Sequence, residues 1–243
     1  MDLQGKVALV TGSAHRVGKH IAIALAKQGC DIAIHYHGSR EKAFATVEEI
    51  QTLGVKASAF QANLSRHEDI LTLFQDIDQV YNHVDVLVNS AAILFRKDLL
   101  EVDLQDWNQI MALNLKGAFF CLQQAALRMR SWNGGAIINI SDIIGRRPWA
   151  HYPVHSISKA GVEMLTKVAA IELAPEIRVN AIAPGLILPP EHMQPDRWDE
   201  LADASLLKRP GSPLDIAKAV IFLLQNDYIS GETLVVDGGM QLL

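Results

Sequence analysis

The sequence predicts an α/β fold, a doubly wound parallel sheet of about seven strands with helices on both faces. Two observations predict it. Short β-branched runs alternate with longer segments of helical period along the whole chain. Several of those runs are almost wholly apolar, as strands of a parallel sheet buried on both faces must be. Residues 6–10 form the first strand, followed by a helix over 17–28. A second strand at 31–35 leads to a helix at 40–53, where Ala43, Phe44, Val47 and Ile50 recur at the 3-4 spacing of a helix lying on a sheet. A third strand at 55–61 precedes a helix at 67–81, and a fourth at 84–89 precedes a long one at 104–130. Strands at 136–140 and 177–182 enclose a helix at 155–173. A helix at 213–224 and a strand at 233–236 complete the series. Repeated βαβ units of this kind give a Rossmann-like sheet.

Composition narrows the function classes. The 243 residues are 49% hydrophobic and 20% charged with a net charge of −5, so no basic face for a nucleic acid is expected. Residues 1–243 are expected to form a single domain, which that length allows. Cys30 and Cys121 are not spaced as a metal pair and read as reduced core thiols. Met1 to Lys6 carries no signal-peptide pattern. No apolar run reaches the ~18 residues of a membrane span, so no membrane is expected and the default location is the cytoplasm.

Residues 10–18 fall where the first strand turns into the first helix. Gly12 and Gly18 there let backbone approach a pyrophosphate at the amide end of a helix, flanked by His15, Arg16 and Val17. At the end of the second strand no carboxylate is in reach for a ribose 2′-hydroxyl. His35, His37, Ser39 and Arg40, with Arg16, instead offer donors to a 2′-phosphate, which favours NADPH over NADH. His35 and His37 share a face, but two ligands without a third make no metal site.

These motifs, with others in order along nearly the whole chain, resemble the short-chain dehydrogenase/reductase family. Thr11, Gly12 and Gly18 match its T-G-x-x-x-G-x-G fingerprint, with Arg16 at the middle Gly. The resemblance implies that Asn63, beside Leu64, meets the adenine, and that Asn89, Ser90 and Ala91 support the adenosine side. It places Pro184, Gly185 and Ile187 beside the nicotinamide. Asn114 matches the helix Asn of the family's proton relay. Lys159 matches the Lys of Y-x-x-x-K, which holds the nicotinamide ribose, but His155 stands where the family has its Tyr. The family's Ser lies thirteen residues before that Tyr, and here that position is Asp142. An Asp there, with Arg16 and the His35–Ser39 segment, resembles the pteridine reductase branch, which implies reduction of a pterin-like C=N.

A histidine suits the proton-donor role, since imidazole ordinarily titrates at ~6.5. Tyr152 is a stand-in donor. Leu94, Phe95 and Trp149 are candidates for the substrate wall, and the irregular segment 185–210, with Pro189, Pro190, Glu191, His192, Met193, Trp198 and Leu201, is expected to cover the substrate. Two other readings stand beside the pterin one. One is a carbonyl reductase of the 3-oxoacyl type; the other is an impaired NADP(H)-binding sensor or scaffold. Trp107, Ile110, Met111, Leu113, Leu115 and Phe119 make 104–130 amphipathic, and the resemblance implies a homotetramer paired through such helices.

Overall fold

The computed structural model describes residues 1–190 and 194–243. Seven strands form one parallel sheet in the order β3-β2-β1-β4-β5-β6-β7. They are β1 (Val7–Val10), β2 (Asp31–Tyr36), β3 (Ala57–Gln61), β4 (Val86–Asn89), β5 (Gly135–Ile140), β6 (Ile177–Pro184) and β7 (Thr233–Val236). β1 and β4, in the middle of the sheet, are buried at every position, so their apolar runs need no alternation.

Helices cover both faces. On one lie α1 (Arg16–Lys27), α2 (Arg40–Gln51) and α8 (Pro213–Gln225), where Ile21, Leu25, Ile50 and Val220 share one core with apolar residues of β1, β2, β5 and β6. On the other lie α3 (His67–Tyr81), α5 (Ala118–Ser131) and α6 (Pro153–Leu173), where Phe74, Ile77, Leu122 and Leu165 close a second core. Cys30 and Cys121 sit in these two cores, and burial pushes both thiols up to about 12. β1 pairs with both β2 and β4, so the strand order reverses there, and the carboxyl ends of these strands open a crevice.

Two elements differ from the sequence expectation. The stretch 104–130 is not one regular α-helix: α4 (Leu104–Met111) passes into a π-helical turn, Ala112–Gly117, and then into α5. Gly117 packs so closely that a Cβ there would lie 2.7 Å from the Leu64 carbonyl oxygen. Leu104–Ser131 is also, among the described residues, the one helical stretch whose length and mean hydropathy of 1.2 would suit a bilayer. Its inner stripe, Cys121, Ala125 and Met129, is instead packed into the sheet's core. The second difference is α7 (Pro195–Asp203), inside the stretch expected to be irregular. It is short and mostly polar, with Ala202 buried, so its period is hard to see in sequence. Glu191, His192 and Met193 lie outside the described residues.

The start of β1 hangs on one buried acid. Asp85, 1% exposed, accepts from the Val7 amide at 2.9 Å and meets Lys6 Nζ at 3.2 Å and His83 Nε2 at 3.1 Å. Asp85→Ala leaves a buried N–H without an acceptor and should cost about 2–4 kcal/mol, read from the urea midpoint. A loss below about 0.5 kcal/mol would contradict that reading.

Candidate active site

The crevice is framed by the turn after β1. Thr11 Oγ1 accepts from the amides of Ser90 (2.9 Å) and Ala91 (3.1 Å), which ties the end of β1 to the end of β4. Gly12 holds φ +66°, and a Cβ there would stand 2.9 Å from Ala91 Cα. At Gly18 a Cβ would strike the Gly12 carbonyl oxygen at 2.5 Å. Only glycine fits at either position, and the first turn of α1 therefore opens directly onto the crevice. Arg16 adopts φ +55°, uncommon for a residue with a side chain. Its guanidinium donates to the carbonyls of Leu188 (3.3 Å) and Pro189 (2.8 Å) rather than pointing to the end of β2.

The two histidines of β2 have different surroundings. His35 is 2% exposed, its Nδ1 accepting from the Gly12 amide at 3.0 Å and its Nε2 lying 3.1 Å from the Ala62 carbonyl. Burial holds its imidazole down at about 4, with the Ala62 contact opposing and His37 adding to the fall. The expectation that His35 supplies charge to a phosphate is thereby corrected: it is a neutral tie between the ends of β1, β2 and β3. His35, His37 and Ser39 all line the crevice. Arg40 does not; it is exposed and its guanidinium sits 5.3 Å over the Phe44 ring. Asn63 and Leu64 line the opposite wall, the Asn63 side-chain oxygen accepting from the Ser65 amide at 3.0 Å.

At the other end, β5 and α6 bring together Asp142, His155 and Lys159. Asp142 precedes a short 3-10 turn and accepts from the Ile144 amide at 2.9 Å. His155 and Lys159 are one turn apart on the buried face of α6. His155 Nε2 lies 3.5 Å from Asp142 Oδ2. Its Nδ1 lies 3.2 Å from the Ile93 carbonyl and 3.3 Å from Asn114 Nδ2. The Asn114 amide, held in the π-helical turn, also donates to Ile93 O (3.0 Å) and Ser158 Oγ (3.2 Å). Lys159 Nζ donates to the Ile140 carbonyl at 2.8 Å, and burial pushes its ammonium down to about 8 while Asp142 pulls the other way.

One continuous cleft of about 720 Å³ joins the two ends. It contains Gly12, His15, Arg16, Val17, Gly18, Ser90, Ala91, Leu94, Pro184, Gly185 and Ile187 together with Asp142, His155 and Lys159. Asn89 stands behind it, donating to Asn139 Oδ1 at 3.0 Å and to the Ala118 carbonyl at 3.1 Å. Asn114 is buried behind His155. Phe95, Trp149 and Tyr152 are not among the lining residues. Trp149 packs beside Ile143 and Met240, and Tyr152 caps the start of α6. The sequence reading missed Ile93, Gln109, Leu113 and Leu188 on the wall. Ile93 acts through its backbone carbonyl, which no side-chain pattern reveals. Ser158 could have been found, three residues beyond His155 on the same helix.

A family model described as enoyl-(acyl carrier protein) reductase matches residues 12–241. A solved structure from Sinorhizobium meliloti 1021, assigned as a short-chain alcohol dehydrogenase, superposes with a TM-score of 0.94 at 32% identity, covering 99% of this chain and 98% of its own. The chain belongs to the short-chain dehydrogenase/reductase family of oxidoreductases. Among curated relatives, the 3-oxoacyl-[acyl-carrier-protein] reductase of Staphylococcus aureus (strain Mu50) is 40% identical over 244 residues, 98% of each chain. The 2-dehydro-3-deoxy-D-gluconate 5-dehydrogenase of Escherichia coli (strain K12) is 37% identical over 248 residues, 98% of this chain and 96% of that protein.

The buried ammonium yields a prediction. Between pH 8 and 10.5 the unfolded chain keeps the Lys159 proton and the folded chain releases it, so this group makes folding more favourable as pH rises through that window. The gain is up to about 3 kcal/mol. Lys159→Met lacks it, so any stability advantage of the variant at pH 8 should shrink toward pH 10.5 in urea titrations. A difference that stays constant across the window would refute the buried charge.

Proposed function

We propose that the protein is an NADPH-dependent carbonyl reductase of the 3-oxoacyl type. The observation that carries this reading is His155 Nε2, a buried ring nitrogen without a hydrogen-bond partner among the described residues, lining the same cleft as Lys159 and the glycine turn. The residues present fit a nicotinamide dinucleotide. The opening turn of α1 offers amides to a pyrophosphate, His37 and Ser39 stand at the end of β2 with no carboxylate among the cleft's lining residues there, and Lys159 has ammonium hydrogens left for a ribose. Bound there, that group supplies a hydride to the carbonyl carbon.

The chain's own part is to hold the substrate and deliver a proton. His155 Nε2 carries a hydrogen in both the imidazolium and one neutral tautomer. The remaining tautomer sets a lone pair against the Asp142 carboxylate at 3.5 Å and is disfavoured. In the imidazolium form Nε2–H gives its proton to the carbonyl oxygen as the carbon is reduced, leaving a neutral imidazole. Lys159 places positive charge beside the developing alkoxide. In that form Nδ1–H donates to the Ile93 carbonyl, which Asn114 holds in place by donating to it as well.

The named relatives favour carbonyl chemistry over the pterin reading, and that reading also loses the aromatic wall expected of Phe95 and Trp149. The sensor or scaffold reading predicts cofactor binding without turnover. Self-association as a homotetramer is supported by exposed apolar side chains on α5 and α6, Phe119, Met164, Val168 and Ile171. We also take residues 1–243 as one catalytic domain, since strands from both ends of the chain share the sheet.

The test is NADPH oxidation with a short 3-oxoacyl thioester. His155→Gln should lower kcat roughly 100- to 1,000-fold, and His155→Tyr should change the shape of the pH–rate profile. Wild-type turnover by the Gln variant would remove the proton-donor role. In the same assay His37→Asp should reduce the preference for NADPH over NADH by about tenfold or more, through repulsion of the 2′-phosphate; an unchanged preference would place the phosphate elsewhere.

A further inference from the structure

A third ionisable group stands behind the site, on the same face of α6. His155, Lys159 and Glu163 follow one another at four-residue spacing on that helix, and all three are buried. Glu163 is not among the cleft's lining residues, yet it is only 9% exposed. Both its oxygens accept from Arg146 Nε, at 3.0 and 2.8 Å. The Ser141 hydroxyl donates to Glu163 Oε1 at 3.3 Å and shares that hydrogen with the Lys159 carbonyl at 3.2 Å. Ser141 and Arg146 bracket Asp142 and its 3-10 turn. One carboxylate therefore holds residues 141–146 at both ends. Between those holds, Gly145 packs on α6 so closely that a Cβ would lie 2.8 Å from the Ala160 amide nitrogen.

From this arrangement we infer that Glu163, paired with Arg146, is a positioning residue for the reaction: from outside the cleft it fixes where Asp142 stands against His155. The Asp142 side chain is a third exposed, so close packing does not set its place. Its place follows from the backbone that carries it, with the Ile144 amide orienting one carboxylate oxygen. The 3.5 Å between Asp142 Oδ2 and His155 Nε2 is thus set by a single helix. His155 belongs to that helix directly, and Asp142 is referred to it through Glu163, two turns further on. A buried ion pair stabilises a fold little, since apolar side chains of the same volume do as well or better. What this pair supplies is direction, because a guanidinium and a carboxylate meet in few geometries. The inference rests on the reading of His155 as the proton donor of a carbonyl reductase and adds a supporting residue to it.

The test replaces both partners at once. Arg146→Met with Glu163→Met leaves no buried charge unpaired and should melt within about 4 °C of the wild type. On the full chain with NADPH and a short 3-oxoacyl thioester it should still lose kcat by roughly 10- to 100-fold, with KM for NADPH changed less than about threefold. Glu163→Gln should stay within about fivefold of wild-type kcat, because its amide takes the Arg146 N–H on oxygen and gives an N–H to Ser141. In an Asp142→Ala background the double Met replacement should cost less than about twofold further, since no carboxylate is left to place. A second readout needs no turnover: histidine-ring NMR of the full chain, with the His155 signals identified by their loss in His155→Gln. The double replacement should move those signals in the same direction as Asp142→Ala does, and should leave them in place once Asp142 is gone. Wild-type kcat with unmoved His155 signals in the double variant overturns the inference, as does a rate loss that persists undiminished in the Asp142→Ala background. If the wild type turns over no 3-oxoacyl substrate, the carbonyl reductase reading fails, and the NMR comparison alone upholds or rejects the positioning role.

Discussion

Where the paired strands β1 and β4 end, one hydroxyl ties the backbone that follows them together, and the cleft depends on it. Thr11 Oγ1 receives two amides from across the gap, so the backbone after β4 is drawn against the turn after β1. Ala91 then stands so near Gly12 that no Cβ can be admitted. The His35 ring braces the same turn from the other side, taking the Gly12 amide on one nitrogen and meeting β3's exit with the other. A neutral ring suits this position, because an extra proton would abolish the acceptor that Gly12 uses. The floor of the nucleotide end is thus a chain of short backbone ties rather than a set of charges.

The reacting end is built on the opposite principle, with ionisable groups held in a shell of amides and carbonyls. The π-helical turn carries Asn114 to where its amide reaches Ile93, Ser158 and His155 together. A regular helix through the same residues would present a different face at 114, since the wider turn shifts the register of everything that follows. Ile93 in turn connects this shell to the strand end that Thr11 has positioned. The two ends of the cleft therefore share one piece of backbone, the segment after β4.

How much of this was legible in the sequence follows from what each signal measures. Buried parallel strands announce themselves, because a strand such as β1 can carry nothing but apolar residues. The glycine turn and the positions of His155 and Lys159 were equally readable, as spacing on a helix or within a turn is fixed by backbone geometry. What stayed hidden was partnership. Nothing in the sequence distinguishes His35, with both nitrogens occupied, from His37 two residues on. Arg16 reads as a phosphate ligand until its guanidinium is found on two carbonyls 172 and 173 residues away. Trp149 and Phe95 read as stacking walls because aromatic residues near a site suggest contact, yet the core claims Trp149. The interruption between α4 and α5 left no mark on the apolar period, and α7 was too short and polar to leave one.

The far end of the chain supplies part of the cleft's backing. Gly185 packs on Asp237, where a Cβ would lie 2.8 Å from Asp237 Cα, and Arg147 donates to the Met240 carbonyl at 3.0 Å. Asp237 in turn accepts from the amides of Gly239 and Gln241. A chain still emerging from the ribosome has the glycine turn long before it has this backing. The wall beside Gly185 is finished only when β7 is released and paired with β6, so translation must run well past residue 236 before the cleft takes its final shape.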